Sequence, residues 1–291
     1  MPSKNQHLTI GLISDTHMPD RWKKLPQTVA DTFRSVDLIL HAGDVGELWV
    51  LDELSQLAPV VAVHGNDETN EATKALPYHQ LVAVKGHRIL LTHSHFPNRD
   101  EEMASRKNDS WHPQIQRRVA MAKEHGASII VHGHTHVAMF VEYDGVWVIN
   151  PGAIASGNYH TRQTLQTIAR LHFGDDGKPI VEYTNLNQPD QPYIPNVDLE
   201  GGFVAAHDKV SASILEPSHD QQWQFLRNEI LGIAPLQYMN IIRPLAHHVW
   251  AGDKEYVSAQ EFAMALAESA ETPVSVREKI LNSPLFTAKQ S

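Results

Sequence analysis

Ile10-Gly11-Leu12-Ile13-Ser14-Asp15-Thr16-His17 is an apolar run that ends abruptly in a carboxylate and an imidazole two residues apart. A short apolar run of this kind reads as a buried strand. In extended chain, residues i and i+2 point to the same side, so Asp15 and His17 are expected to converge just past the strand end. Alone, an Asp-x-His triplet is a weak sign of a metal ion, and its ordinary counterpart is a turn carrying a surface histidine. The sign gains weight only if later strands end the same way.

They do. Residues 26–36 read as a helix with Val29 and Phe33 on one face, and 37–41 as a second apolar strand that runs into Ala42-Gly43-Asp44. Residues 48–57 read as a second helix and 59–63 as a third strand, ending in His64-Gly65-Asn66-Asp67. Strand, helix, strand, helix, strand implies right-handed crossovers and a parallel sheet. In such sheets ligands bind at the carboxyl ends of the strands. The period then changes. Residues 80–84 and 87–92 flank Lys85-Gly86, a hairpin signal whose second strand ends in His93-Ser94-His95. A helix over 114–125, with Ile115, Val119 and Ala122 on one side, precedes a strand over 128–131 that ends in His132-Gly133-His134-Thr135-His136. Hairpins are expected across Asp144-Gly145 and around Asp175-Asp176-Gly177, which would make the second half a mostly antiparallel sheet. Residues 96–113 are polar, charged and aperiodic and read as a long loop. There Arg99, Arg106, Lys107 and Trp111 offer phosphate and base contacts, against the plainer reading of a mobile polar segment.

These patterns divide the chain into an α/β domain over 1–185, a Pro-rich linker over 186–217 and a helical extension over 218–291. In the extension, Trp223, Leu226 and Ile230 lie at helical spacing, and a helix with Met239 and Ile242 is expected to break or kink at Pro244. Ser258-Ala259-Gln260-Glu261 is a capping-box pattern, and Thr272-Pro273 opens a last helix. His247-His248 reads as a polar helix face. The extension is expected to cap the site, mediate a homo-oligomer or bind a protein partner. Its amphipathic helices behind a Pro-rich linker favour the interaction roles.

With 42% hydrophobic and 20% charged residues over 291, a sizeable core is expected and global disorder is not. A formal net charge of −10 speaks against stable nucleic-acid binding over a broad basic face. The chain has no cysteine, which excludes disulfides, thiolate ligands and a cysteine nucleophile, while 19 histidines make imidazole ligation feasible. The polar N-terminal residues 1–7 carry no apolar signal-peptide core, and no apolar run approaches the roughly 20 residues that span a bilayer. The expectation is a soluble cytoplasmic protein with no membrane partner.

Side by side, the strand ends carry Asp15 and His17, Asp44, Asn66, His93, His134 and His136. Chance seldom places such residues at five strand ends in order. Two divalent ions about 3.5–4 Å apart need a bridging carboxylate, and they stabilise both the attacking and the leaving oxygen of a phosphoryl displacement. Carboxylate and imidazole ligands without thiolate suit Mn, Fe or Zn better than Ca or Mg, with Ni a further option.

Asp15-x-His17, Gly43-Asp44, Gly65-Asn66, His93 and Gly133-His134-x-His136 resemble the motif series of the calcineurin-like metallophosphoesterases. Ser14-Asp15-Thr16-His17, Leu91-Thr92-His93 and Ile149-Asn150-Pro151-Gly152 resemble in particular the small bacterial and archaeal phosphodiesterase branch, which also contains the eukaryotic retromer subunit. The resemblance covers roughly residues 8–184 and leaves the helical extension unassigned. It implies an α/β fold: a β-sandwich of two facing mixed sheets flanked by helices. It implies two divalent metals, manganese first among them, one held by Asp15, His17 and His136, the other by Asn66, His93 and His134, with Asp44 bridging. It implies hydrolysis of a phosphodiester or a phosphorylated small molecule by in-line attack of a metal-bridging hydroxide.

Two departures stand out. After Gly-Asn many superfamily members carry a His that can protonate the leaving group; here Asp67 and Glu68 follow, as the branch leads one to expect. His95, two residues past His93, is the candidate acid in its place. Ser94 stands where the branch usually has Gly, which would narrow the space near the site. The catalytic candidates are thus Asp44 and His95, and the candidate substrate contacts Asn66, His95 and Arg162. His132 reads as a strand-end residue, and Asn150-Pro151-Gly152 as either a turn or a contact near the metals. The alternatives to a phosphodiesterase are a scaffold on the same fold and a phosphomonoesterase or protein phosphatase. A scaffold is free to lose ligands and none is missing; the phosphatase would want the absent His.

Overall fold

A computed structural model describes residues 8–287, and the polar stretch 1–7 read for a signal peptide lies outside them. The chain enters through β1 (Ile10–Ile13), α1 (Gln27–Phe33), β2 (Leu38–His41), α2 (Trp49–Ser55) and β3 (Val60–Ala62), the alternation expected from the sequence. β1 pairs in parallel with β2, and β2 with β3. Ile13 packs with Val29 and Phe33 of α1 and with Val50 and Leu54 of α2, whereas Ile10 and Leu12 belong to the core on the other face. Successive strand residues point to opposite faces, so a strand covered on both sides must be apolar throughout.

α3 (Asn70–Ala75) follows, capped by Thr69, whose side chain accepts the Ala72 N–H. Then come β4 (His79–Val84), β5 (His87–Thr92), α4 (Arg99–Ser105), α5 (Trp111–Glu124), β6 (Ile129–His132), β7 (Met139–Tyr143) and β8 (Val146–Asn150). The strands form a second sheet in the order β4-β5-β6-β8-β7. Its hairpins are antiparallel, but β5 and β6, and β6 and β8, run parallel. This sheet is therefore mixed rather than mostly antiparallel, because α5 serves as a crossover between β5 and β6. After β9 (Thr161–Gln163), the hairpin of β10 (Thr167–Phe173) and β11 (Pro179–Asn185) returns to the first sheet, where β10 pairs antiparallel with β1. That sheet reads β11-β10-β1-β2-β3.

The inner faces of the sheets meet through Ile10, Leu12 and Leu40 on one side and Ile89, Leu91, Ile129 and Val131 on the other. The outer face of the second sheet is covered by Trp111, Ile115 and Val119 of α5, packed with Leu90, Ile130 and Val148. Two mixed sheets face to face, flanked by helices, are the fold that the sequence led us to expect.

The chain divides into two compact units: Met1–Gly157 with Gln163–Ser211, and Asn158–Arg162 with Ala212–Ser291. The expected linker over 186–217 is thus divided, and up to Ser211 it stays with the first unit. There it carries α6 (Phe203–His207) and is anchored by hydrogen bonds from Phe203 N–H to Asp109 O at 2.7 Å and from Trp111 Nε1 to Gly202 O at 3.0 Å. β12 (Ser211–Ser213) follows. The second unit holds α7 (Gln221–Ile230), α8 (Pro235–Trp250), α9 (Ala259–Glu268), α10 (Val274–Leu281) and α11 (Pro284–Thr287). Trp223, Leu226, Ile242, Phe262, Leu266, Val276 and Ile280 form its core, joined by Tyr159. The capping box of Ser258 and Glu261 is present at α9. α8 continues through Pro244 instead of ending there, its apolar face held by the buried Ile241, Ile242, Ala246 and Val249. Among the described residues no helix is long and apolar enough to cross a membrane.

Candidate metal centre

β1 ends at Ile13, and beyond it Asp15 and His17 adopt φ of 54° and 44°. The extended alternation expected to converge them therefore does not operate. They are placed by pairing with the loop after β2: Asp15 N–H donates to Gly43 O and His17 N–H to Asp44 O, each at 3.0 Å. Asp44, Ser94, His134 and His136 share the left-handed conformation, with φ of 53°, 74°, 72° and 59°. Among the described non-glycine residues only Lys85 and Asp144, both in hairpin turns, adopt it elsewhere. Each such residue costs on the order of 1–3 kcal/mol, which the surrounding structure must supply. Ser94 carries this strain where a glycine would not.

The loops bring carboxylates and imidazoles together. Asp15, His17 and His136 form one buried group, and Asp15, Asp44 and His93 a second, with the ligand atoms of each group within 4.8 Å of one another. Asp44 Oδ2 lies 3.4 Å from His17 Nε2 and 3.2 Å from His93 Nε2, and Asp15 Oδ1 lies 3.1 Å from His136 Nε2. The arrangement fits a metal by the state of His93. Its Nδ1 meets the carbonyl of Ala42 at 2.8 Å, an acceptor, so Nδ1 carries the proton. Nε2 then faces a carboxylate, buried and without a hydrogen-bond partner. A lone pair against a carboxylate is repulsive unless a cation lies between them, either a proton or a metal ion.

The electrostatics agree. Burial opposes ionisation of Asp44, but the His93 and His17 imidazoles outweigh it and hold the carboxyl well below the usual range. Burial likewise opposes ionisation of Asp15, and His136 reverses it. Burial disfavours a charged His93, yet Asp44 and Asp15 raise it to about 9, so without metal a proton occupies the position. His17 is pushed well below its ordinary value by burial and then by the guanidinium of Arg21.

Residues with no signal of their own in the sequence hold the loops. The Glu68 carboxylate accepts the backbone N–H of Val45, Gly46 and Gly65 at 2.8–3.0 Å, tying the loop after β3 to the loop after β2. Asn150, fully buried, donates to Gly133 O and Thr135 Oγ1 and accepts the Gly152 N–H. It both forms the expected turn, through the Gly152 N–H, and braces the Gly133–His136 loop. Gly65 and Gly133 owe their place to close approach: a Cβ at Gly65 would strike the Asp44 carboxylate, and one at Gly133 would lie 2.7 Å from Asp15 Oδ2.

Other expected residues stand differently. His134 directs its backbone N–H at Asp15, while its ring Nε2 lies 2.9 Å from Glu102 Oε1. Glu102 belongs to α4, a helix in the segment expected to be a loop. α4 buries no residue, so it leaves no apolar period in the sequence; Asn98 as N-cap and three acidic residues in the first turn were the signal that could have revealed it. Trp111, expected in that loop as a base-stacking residue, is fully buried in the core. Arg106 is engaged by Glu102. Asn66 is exposed, and its neighbour Asp67 donates its N–H to Asp44 Oδ1 at 2.9 Å. Asp67 also forms an ion pair with the buried Arg21. His95 lies 7% exposed beside His93, with ring centroids 5.6 Å apart, and its Nδ1 is buried without a hydrogen-bond partner. Burial and the neighbouring imidazoles push it down to about 3. His132 is buried with Nδ1 on Gly133 O. Arg162 lies in the helical unit, 3.9 Å from Glu255 and over the ring of Tyr256.

Comparison with known proteins bears on the same residues. Residues 8–176 match the model of the calcineurin-like phosphoesterase superfamily domain. A probable metallophosphoesterase of Methanothermobacter thermautotrophicus is 35% identical over 146 residues, 50% of this chain and 77% of that one. A phosphodiesterase of Methanocaldococcus jannaschii is 27% identical over 160 residues, 50% of this chain and 83% of that one. The crystal structure of Vps29 from Chaetomium thermophilum covers 60% of this chain and 95% of its own, at 18% identity and a TM-score of 0.45. The family match takes in every strand-end motif from Asp15 to His136, over more than half of the chain, and so the chain belongs to the calcineurin-like phosphoesterase superfamily.

Proposed function

We propose that the protein is a two-metal phosphoesterase that prefers phosphodiesters. The observation that carries this is the pair of buried ligand groups that share Asp15, with Asp44 Oδ2 standing 3.2 Å from His93 of its own group and 3.4 Å from His17 of the other. Asp15, His17 and His136 would hold one divalent ion, and His93, Asn66 and His134 the other, with Asp44 common to both. Bound there, the ions would supply a nucleophile from water at neutral pH and take up charge on the phosphoryl oxygens. The chain's own part is to hold two ionised carboxylates beside the imidazoles and to keep them buried.

His95 stands beside this centre as the donor to the leaving group. With its ring held neutral at ordinary pH, it offers a hydrogen bond through its one N–H rather than the full acidity of an imidazolium. The diester preference rests on the similarity to a phosphodiesterase of Methanocaldococcus jannaschii; Asp67, 3.8 Å from the His17 ring, is ion-paired with Arg21 and presents little net charge to a substrate. Arg162 is engaged elsewhere, and the proposed chemistry does not need it. A scaffold role is disfavoured by the strained backbone at the ligand positions, which packing alone does not call for.

The test is hydrolysis of an aryl phosphodiester and the matching monoester by metal-stripped protein, with Mn, Ni, Zn and Mg restored singly. Metal-dependent turnover with the diester preferred is the expected result. Two ions bound without turnover of either ester would turn the assignment toward a scaffold.

Metal binding is also expected to depend on pH. His93 is raised to about 9, so at neutral pH an ion must displace its proton, while Asp15 and Asp44 are already ionised. Affinity should rise about tenfold per pH unit below that value and level off above it. Calorimetry in buffers of different ionisation enthalpy should report about one proton released from this group at neutral pH. The same proton stabilises the metal-free fold below the ordinary histidine value, and that stabilisation fades as pH rises through about 9.

A further inference from the structure

α4 has no buried residue, and its Glu102 side chain reaches the Phe96 backbone and the His134 ring. Its Oε2 accepts the Phe96 N–H at 3.0 Å, and its Oε1 lies 3.1 Å from Arg106 Nε and 2.9 Å from His134 Nε2. Its side chain is 13% exposed, on a helix whose other acidic side chains face solvent. A carboxylate only accepts hydrogen bonds, so the His134 ring donates through Nε2 and its second nitrogen, Nδ1, is the free lone pair. Carboxylates stand behind metal-binding histidines in this way, fixing the tautomer and raising the basicity of the ligand nitrogen.

We propose that Glu102 is a positioning residue of the metal centre, holding the His134 ring so that Nδ1 is presented to a divalent ion, and that α4 is thereby pinned to the site. This rests on the two-metal reading above, and it adds a residue that the strand-end motifs do not contain. The opposite arrangement would have Glu102 occupy the ligand nitrogen and compete with the ion. The two differ in the sign of one measurement.

That measurement is calorimetric titration of the full-length, metal-stripped protein with Mn alone, for wild type, Glu102→Ala and Glu102→Gln, with far-UV circular dichroism as the folding control. Two sites are expected in the wild type. Glu102→Ala should weaken one of them about 10–100-fold and leave the other nearly unchanged. Glu102→Gln, which keeps an acceptor, should lose less at the same site. Trypsin supplies a readout independent of affinity: Mn should protect the bonds after Arg99 and Arg106 in the wild type, and Glu102→Ala should lose that protection. Should Glu102→Ala fail to fold, the site-selective loss in Glu102→Gln decides the matter. Unchanged or tighter Mn binding in the folded variants overturns the proposal while leaving the two-metal reading intact. A wild type that binds no Mn overturns both.

Discussion

Asp44→Asn is expected to abolish metal binding and to lower turnover by about 10³-fold or more, with the fold retained. Asp44 is the proposed bridging ligand, and its Oδ2 lies 3.4 Å from His17 Nε2 and 3.2 Å from His93 Nε2. An amide in its place keeps the volume and can still accept the Asp67 N–H, but it removes the negative charge that two cations would share. Loss of one preorganised electrostatic contact costs about 10²–10³ in rate, and here metal affinity is lost as well. Fluorescence or calorimetric titration with Mn reads the binding, and aryl diester hydrolysis reads the rate. Full activity in this variant would sink the two-metal assignment. The backbone gives no reason for the variant to misfold: Asp44 has φ of 53°, a conformation that Asn tolerates as well as Asp.

Trp111→Ala should be the most destabilising of the single substitutions considered, by about 3–5 kcal/mol. The ring is fully buried between α5 and the outer face of the second sheet, at 5.3 Å from Phe203, and its Nε1 is satisfied by Gly202 O. Truncation leaves a cavity, orphans that carbonyl and loosens the anchorage of the segment before α6. Denaturant titration should show a lower midpoint with a preserved slope. A change below about 1 kcal/mol would mean that the site collapses readily and that Trp111 is less integral than its burial indicates.

Trp111 marks where the sequence stopped being legible. From β1 to β3 each strand is a bounded apolar run and each helix has an apolar period, so α1, α2 and the strands around them are legible, whereas α3, which buries only Ala72, is not. The strand-end carboxylates and imidazoles could be located for the same reason, since a polar residue after an apolar run marks a strand end. α4 escaped because it buries nothing, and periodicity registers only burial. Trp111 stands in register with Ile115, Val119 and Ala122, one turn before the helix expected from residue 114, so that extending the helix back to its Ser110 cap would have placed it in the core. Glu68 and Asn150 were visible as residues but not as braces, because their partners lie 3–23 and 2–18 residues away and only the folded loops bring them together. The convergence of Asp15 and His17 was read correctly in outcome and wrongly in cause. Strand alternation was expected, and left-handed backbone paired to the next loop is what occurs. The crossing of the last hairpin to the first sheet had no local signature, because strand pairing across such a separation is decided by which edge is open.

Asn158–Arg162 belongs with the helices although both of its flanks belong with the sheets. Tyr159 is buried in the helical core, the His160 ring stacks on Tyr238 at 5.2 Å, and Thr161 O accepts the Trp250 Nε1 proton at 2.8 Å. No single cut therefore separates the two units. Removing everything after Ser211 strands an aromatic side chain that has lost its shelter, and expressing Ala212–Ser291 alone leaves a helical core with a missing plug. A graft between relatives would have to exchange two pieces at once, five residues and some eighty, or neither would be sound. The helical unit is thus not a detachable tail, because five of its residues are supplied from within the sequence of the sheets.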